Sequence, residues 1–428
     1  MARVKDLWFK TVKDPDGKTR REKTARHGKG KRWLAVWTNP EGREQTQAFT
    51  KKVDAENHGS RMDADKTRGN YIDPNGAKKR LIALAEGTEG GEEGWLKSLV
   101  ADPSTRQIYG GYWRVHIKPR FGHREIGSIL PSEIRAWIKH LETKLSKTTI
   151  RNVLRLFEQI LQSAVDDDLI AKNPCASKSI KRPKVEPRQV VPWTTERVLA
   201  VHAALPERYA IMALLGAGCG LRKGEILGLS EDAVDFDKAV VHVRQQVKLV
   251  RSRPLFALPK HDRIRAVPLP ASIAEALKKY QIQFPAREVT LPWEELDGKP
   301  RTLRLIITGR NSNALRGCTI SDKVWRPALV RAGVVTQEQV DERTPGRPNQ
   351  AIRQHGMHAL RHYFASMLLD AGVSVKALAE YLGHSDPGYT LRTYTHLMSG
   401  SENRAEKVIN AAFHREILGT GTEPERSL

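Results

Sequence analysis

Apolar residues recur at three- and four-residue spacing through the middle of this chain and alternate over short runs on either side of it. The clearest stripe is Ile150, Val153, Leu154, Phe157, Ile160, Leu161 and Ala164, which predicts a helix over 146–168. Similar spacing predicts helices over 95–100, 103–117 and 131–145, so this region reads as a compact helical bundle. Ahead of it, Trp33, Ala35 and Trp37 alternate on one face of a predicted strand. Further strands are expected at Trp8 and Phe9, through 20–26 and over 45–49, with turns at Asp14-Pro15-Asp16-Gly17 and Asn39-Pro40-Glu41-Gly42 and a helix over 51–68. Turn formers crowd 71–94, which reads as a linker, and Pro, Lys and Arg crowd 171–192, which reads as an extended basic connection.

From Trp193 the pattern is mixed. Thr194 suits an N-cap, and a second helix over 209–215 ends in a Gly-rich turn. The stretch 240–250 is rich in β formers; two short strands over 255–258 and 263–269 follow, joined through Pro259-Lys260-His261-Asp262, and then a helix over 271–280. The aperiodic stretches 284–304 and 336–354 read as surface insertions, and 402–418 has helix composition. The fold class expected is multidomain α+β. It comprises a small β-sheet-plus-helix N-terminal domain over 1–70, a linker over 71–87 and a helical domain over 88–175. A basic linker over 176–192, a mainly α domain with a small antiparallel sheet over 193–418, and a flexible tail over 419–428 complete it.

Charge changes the picture from fold to partner. The 428 residues carry 72 Lys and Arg against 49 Asp and Glu, a formal +23, which points to nucleic acid. Residues 1–80 hold 21 of these cations against 11 acids, a net +10. Cys175, Cys219 and Cys318 are too few and too scattered for a disulfide framework or a zinc site, which fits a reducing cytosol. No export signal is expected in the first residues. The longest apolar stretch, 209–221, is too short and too broken by Gly to span a bilayer, so no membrane association is expected.

The chemistry-bearing residues gather in 356–397, where His358 and Arg361 share a helix, His384 follows a Leu-Gly turn, and Tyr389 and Tyr394 close the stretch. A tyrosine hydroxyl is a poor nucleophile at neutral pH unless cations stabilise its phenolate or a base takes its proton. Attack on a phosphodiester also loads charge onto two non-bridging oxygens, which guanidinium groups match bidentately. Arg361 is one such group; Arg222, in a Gly-rich turn with Glu225 three residues on, is the second candidate. Lys260 sits where a mobile hairpin could deliver a proton to a leaving 5′-oxygen. Each residue alone has a plainer reading, His358 as a packed histidine and Arg222 as a helix-capping charge.

In order, GLRKGEILGL, the lysine before IRAVPLP, HALRH and LGHSDPGYTLRTYTHL resemble the tyrosine recombinase family, the phage integrases, over about 193–397. The resemblance implies that Arg222 and Arg361 grip the scissile phosphate with Glu225 supporting Arg222, that Lys260 is the general acid, and that His358 assists proton transfer at the nucleophile. It further implies that His384 hydrogen-bonds the phosphate and that Tyr394 attacks to leave a 3′-phosphotyrosyl link, with no metal or nucleotide cofactor. Residues near 88–186 resemble the family's core-binding domain and 1–70 its arm-binding domain. The partners implied are double-stranded DNA at core-type and arm-type sites, a homotetramer on that DNA, and DNA-bending and directionality accessory proteins. Three features depart from the family pattern. Lys260 lies in Leu-Pro-Lys-His-Asp, so Lys248 and Arg263 stay open as the acid; the spacing from Arg222 to His358 is long; and Tyr389 competes with Tyr394. The alternative functions are a type IB topoisomerase-like enzyme and a non-catalytic DNA-binding regulator on the same fold.

Overall fold

A computed structural model describes residues 2–13, 19–68, 71–73, 75–185, 190–342, 352 and 354–394. The chain divides into two compact units, the first reaching Lys184 apart from 102–107, the second taking up those six residues and everything from Val185.

The first unit holds two cores. Strands β1 (Arg3–Asp6), β4 (Trp33–Thr38) and β5 (Glu44–Phe49) form an antiparallel sheet with β4 central, and β2 (Phe9–Lys13) pairs with β3 (Thr19–Lys23) as a separate two-stranded ribbon. Helix Lys52–Thr67 closes over the three-stranded sheet, burying Ala55 and Met62 with Ala35 and Trp37. Trp37 donates its indole N–H to Tyr71 at 2.9 Å, so the chain just beyond the helix completes this small core. The second core is helical. Every residue of the 150–164 stripe is buried along helix Lys147–Asp166, and Ser146 caps its start by accepting the Thr149 N–H. Phe121, Trp137 and Phe157 pack as an aromatic trio at its centre.

The stretch read as a linker over 71–87 is more structured than its turn-rich composition suggested. Leu81–Glu86 is a helix whose Leu81, Leu84 and Ala85 are buried in the helical core, because three apolar residues in six are enough for one inward face. In the basic stretch after 171, Arg182 pairs with Glu158 and Arg135 donates to Ser179, so side chains tie part of it to the helical unit.

The second unit has one large core that takes in Leu215, Phe256, Trp325, Leu360 and Leu378. Thr194 caps helix Thr195–Ala204 by accepting the Arg197 N–H, and helix Glu207–Gly218 packs against helix His358–Asp370. The β-rich stretch 240–250 resolves into β7 (Val240–Val243) and β8 (Gln246–Val250), which belong to different sheets. Strand β10 (Arg265–Pro268) pairs with β7, which also carries the short β6 (Val234–Asp235), whereas β9 (Arg253–Ala257) pairs with β8. The strands flanking Lys260 therefore do not form a hairpin with each other. The stretch 284–304, expected as an aperiodic insertion, is itself a hairpin of β11 (Arg287–Pro292) and β12 (Pro300–Leu305). Its inward residues Val289, Leu291, Leu303 and Leu305 alternate at period two, but charged and proline neighbours hide the alternation.

Of 336–354, residues 337–341 form the short helix Gln337–Asp341, capped by Thr336, and 343–351 with 353 lie outside the described residues. The expected helix over 402–418 and the tail over 419–428 also lie outside them. Among the described residues no helix is long and apolar enough to cross a membrane.

Candidate active site

Two tight turns build the site. The first follows helix Glu207–Gly218, where Gly220 adopts φ +62°, and a Cβ there would stand 2.5 Å from the Phe364 ring. Only glycine meets both demands. Two residues on, Arg222 is extended and starts helix Lys223–Leu227, so its side chain leaves the turn while its own N–H binds the Glu225 carboxylate at 2.8 Å. The second turn ends helix Val375–Leu382, where Gly383 is left-handed and reverses the chain into His384. Leu382 and Gly383 offer consecutive carbonyls to the two arginines: Arg361 donates to Leu382 and Arg222 to Gly383. Arg361 also donates to the Gly220 carbonyl at 2.7 Å.

Glu225 fixes the first arginine and needs a second cation to do so. Its side chain is 1% exposed, and it accepts from Arg222 Nη1 at 2.9 Å and from Arg265 Nη1 and Nη2 at 2.9 and 2.7 Å. Burial alone would raise this carboxyl, but the Arg265 hydrogen bonds and the charges of Arg265 and Arg222 outweigh it and hold the group down at about 2. Arg265 is anchored in turn on the Tyr381 carbonyl at 2.7 Å. Sequence reasoning missed Arg265; the signal was an arginine two residues from buried Val267 on a strand, hence on its inward face.

Arg361 is 1% exposed. Burial, then the nearby Arg222, push its pKa down, yet a guanidinium is basic enough to keep its charge at neutral pH. Its Nη2 lies 3.2 Å from His384 Nε2. Because arginine has no lone pair to offer, Nε2 accepts and Nδ1 carries the proton that His384 gives to Thr390 Oγ1 at 2.7 Å. Burial, then Arg361 and Arg222, lower His384 to about 3 and keep it neutral.

A cleft of about 440 Å³ opens beside these groups, lined by Arg222, Lys260, His261, His358, Gly383, His384, Ser385, Asp386, Tyr389 and Arg392. Lys260 sits in the single turn Lys260–Asp262 between strands of two sheets, with His261 at φ +63° and Asp262 at φ +55°. Arg263 donates to the Ser385 carbonyl at 3.5 Å, on the cleft's edge, and Lys248, in β8, does not line the cleft. Desolvation, then His362 and Arg361, push His358 down, although solvent at the cleft tempers that push because much of the residue is exposed.

The two tyrosines are placed differently. Tyr389 is 52% exposed, lines the cleft and meets the His384 ring edge-on at 5.0 Å. Tyr394 is 2% exposed and does not line the cleft; its hydroxyl lies 2.7 Å from Nδ1 of His362. Burial pushes the phenol above its ordinary value, against the pull of Arg361. His362 was also missed from sequence, although it follows His358 by four residues and so shares its helix face, with ring centroids 4.6 Å apart.

Residues 194–400 match the Phage integrase family. Those residues form a tyrosine recombinase domain. This recombinase is 28% identical over 343 residues to a XerC-like tyrosine recombinase of Caldanaerobacter subterraneus subsp. tengcongensis, covering 74% of this chain and 81% of that one. It is 25% identical to a putative prophage phiRv2 integrase of Mycobacterium tuberculosis, covering 89% and 92% of the two chains. Its fold is similar to that of the Tn1549 transposon integrase in complex with transposon right end DNA, at a TM-score of 0.58 and 21% identity over 74% of this chain and 96% of that one.

Proposed function

We propose that this site-specific recombinase cleaves and rejoins DNA through Tyr394, leaving a 3′-phosphotyrosyl link and a free 5′-hydroxyl. One observation carries the reading: Arg222 and Arg361 donate to consecutive carbonyls, Gly383 and Leu382, and so bring two guanidinium groups together beside one cleft. Two guanidiniums match the two non-bridging oxygens of a phosphodiester and the charge that grows there. Glu225 presets Arg222 before substrate arrives, and His384 donates to the same phosphate once its proton moves to Nε2 and Nδ1 accepts from the Thr390 hydroxyl instead. Lys260, also on the lining of the cleft, protonates the leaving 5′-oxygen, and His358 supports proton movement near the nucleophile. The covalent link conserves the bond energy for religation, so the same residues run the step backwards.

Strand exchange between two duplexes cuts four strands, and with one Tyr394 per chain it needs four subunits. We assign a homotetramer on that count. The helical domain and the catalytic domain take the core-type site. Residues 1–70 take a second, arm-type site, supported by the exposed Lys10, Lys13 and Lys23 on the β2–β3 ribbon.

The test is a nicked suicide DNA site, with covalent adduct read on a denaturing gel for the parent, Tyr394→Phe and Tyr389→Phe. Adduct lost only in Tyr394→Phe supports the reading, and adduct that survives in it removes Tyr394 as nucleophile. A parent that forms no adduct on any site supports the DNA-binding regulator. Relaxation of a supercoiled plasmid without a recombination site supports the topoisomerase-like enzyme.

A further inference from the structure

The Tyr394 hydroxyl is held by a group that no family motif quoted above assigns. Of the two histidines on helix His358–Asp370, it is the second, His362, that reaches the phenol, at 2.7 Å, while His358 stands beside His362 with its ring edge-on. The rings of His362 and Tyr394 are 5.7 Å apart and inclined at 61°, so the contact is made along the edge of the imidazole, where a nitrogen lone pair lies.

We propose that His362 is the general base of the cleavage step, its Nδ1 taking the phenolic proton of Tyr394 as the tyrosine oxygen bonds to phosphorus. The inference rests on the reading of Tyr394 as the nucleophile. Three observations support it. The phenol is buried, and burial opposes its ionisation, so the proton needs an acceptor within hydrogen-bond reach. Arg361 and Arg222, the cations that ease ionisation, donate hydrogen bonds and have no lone pair to receive a proton. His362 has one: burial, then Arg361, lower it to about 4, which leaves a neutral imidazole with a free lone pair.

The step balances as follows. The Tyr394 O–H bond breaks and its proton goes to Nδ1, the tyrosine oxygen forms its bond to phosphorus, and the P–O5′ bond breaks. The 5′-oxygen takes a proton from Lys260 on the cleft. In religation the 5′-hydroxyl attacks phosphorus and gives its proton back to Lys260, the bond from phosphorus to the Tyr394 oxygen breaks, and the His362 imidazolium returns its proton to the departing phenol. The imidazolium forms next to Arg361, and the negative charge of the phosphoryl transition state offsets that repulsion.

A packing role predicts a different outcome from a base. Asparagine places an acceptor oxygen near the position of Nδ1 but has no basicity, so His362→Asn keeps the hydrogen bond and loses the proton transfer. The experiment measures single-turnover adduct formation on prebound suicide DNA for the parent and His362→Asn, each with Tyr394 or with a fluorinated, more acidic tyrosine at 394. DNA affinity and melting temperature are read in parallel. The expected result is parent-like binding and melting, adduct formation slower by about 100- to 10,000-fold, and a larger gain from fluorination in His362→Asn than in the parent. A His362→Asn protein as fast as the parent overturns the inference, and so does fluorination that changes both proteins by one factor. Adduct that survives Tyr394→Phe, or its absence in the parent, overturns the nucleophile and this inference with it. If His362→Asn melts early, the same comparison is made below its melting transition, where the fold is intact.

Discussion

Glu225 concentrates the site's electrostatics in one carboxylate. Replacing it by Gln leaves Arg222 and the 6%-exposed Arg265 without their counter-charge, and uncompensated buried charge typically costs about 3–5 kcal/mol. Chemical denaturation of Glu225→Gln at neutral pH is expected to show a loss of that order. The pH dependence has two parts with one sign. Glu225 is depressed to about 2 from 4.5, so its contribution is complete above about pH 4.5 and drains away as pH falls toward 2. His362 and His384 are depressed to about 4 and 3 from 6.5, so they stay neutral in the fold while the unfolded chain takes up protons. Their part is complete above about pH 6.5 and drains as pH falls below it. Melting temperature is therefore expected to start falling near pH 6.5, before any carboxylate titrates, and a flat profile from pH 7 to 5 would count against neutral, half-buried histidines.

At the scale of elements, the glycine turn is the most sensitive joint. Gly220→Ala sets a side chain at φ +62° against the Phe364 ring, and backbone strain plus overpacking predict a loss of about 2–5 kcal/mol in denaturant unfolding. Phe157→Ala in the helical core is expected to cost about 3–5 kcal/mol. The helices were legible from sequence because one face of each is apolar at a regular period, as Ile150 to Ala164 show. The β11–β12 hairpin was not, since Arg and Pro stand between its inward residues. Nor was the pairing of β10 with β7 rather than β9, because register is set by contacts distant in sequence. In the site, residue types and order brought Arg222, Glu225, Arg361 and His384 to notice. Arg265 and His362 escaped it because each acts on a neighbour that only the folded chain supplies.

At the scale of the whole molecule the dominant quantity is charge. DNA binding is expected to weaken steeply with salt, the slope of log K against log salt being about −0.9 per phosphate neutralised. Residues 1–80 carry a net +10. Deleting 1–70 is expected to flatten the slope measured by fluorescence anisotropy, and an unchanged slope would remove the arm-binding role.

Thr390 and Tyr394 stand one turn apart on helix Pro387–Tyr394, both buried, and each meets a histidine from a different segment, His384 and His362. A helix held by two such teeth has a single register, because a slip of one residue turns it by about 100° and strips both contacts together. Placement of Tyr394, the proposed nucleophile, is in this sense digital. A population of complexes divides into engaged and disengaged molecules, with no graded middle, so weakening one tooth, as in Thr390→Val, lowers the amplitude of a cleavage burst and leaves the rate of the molecules that do cut unchanged.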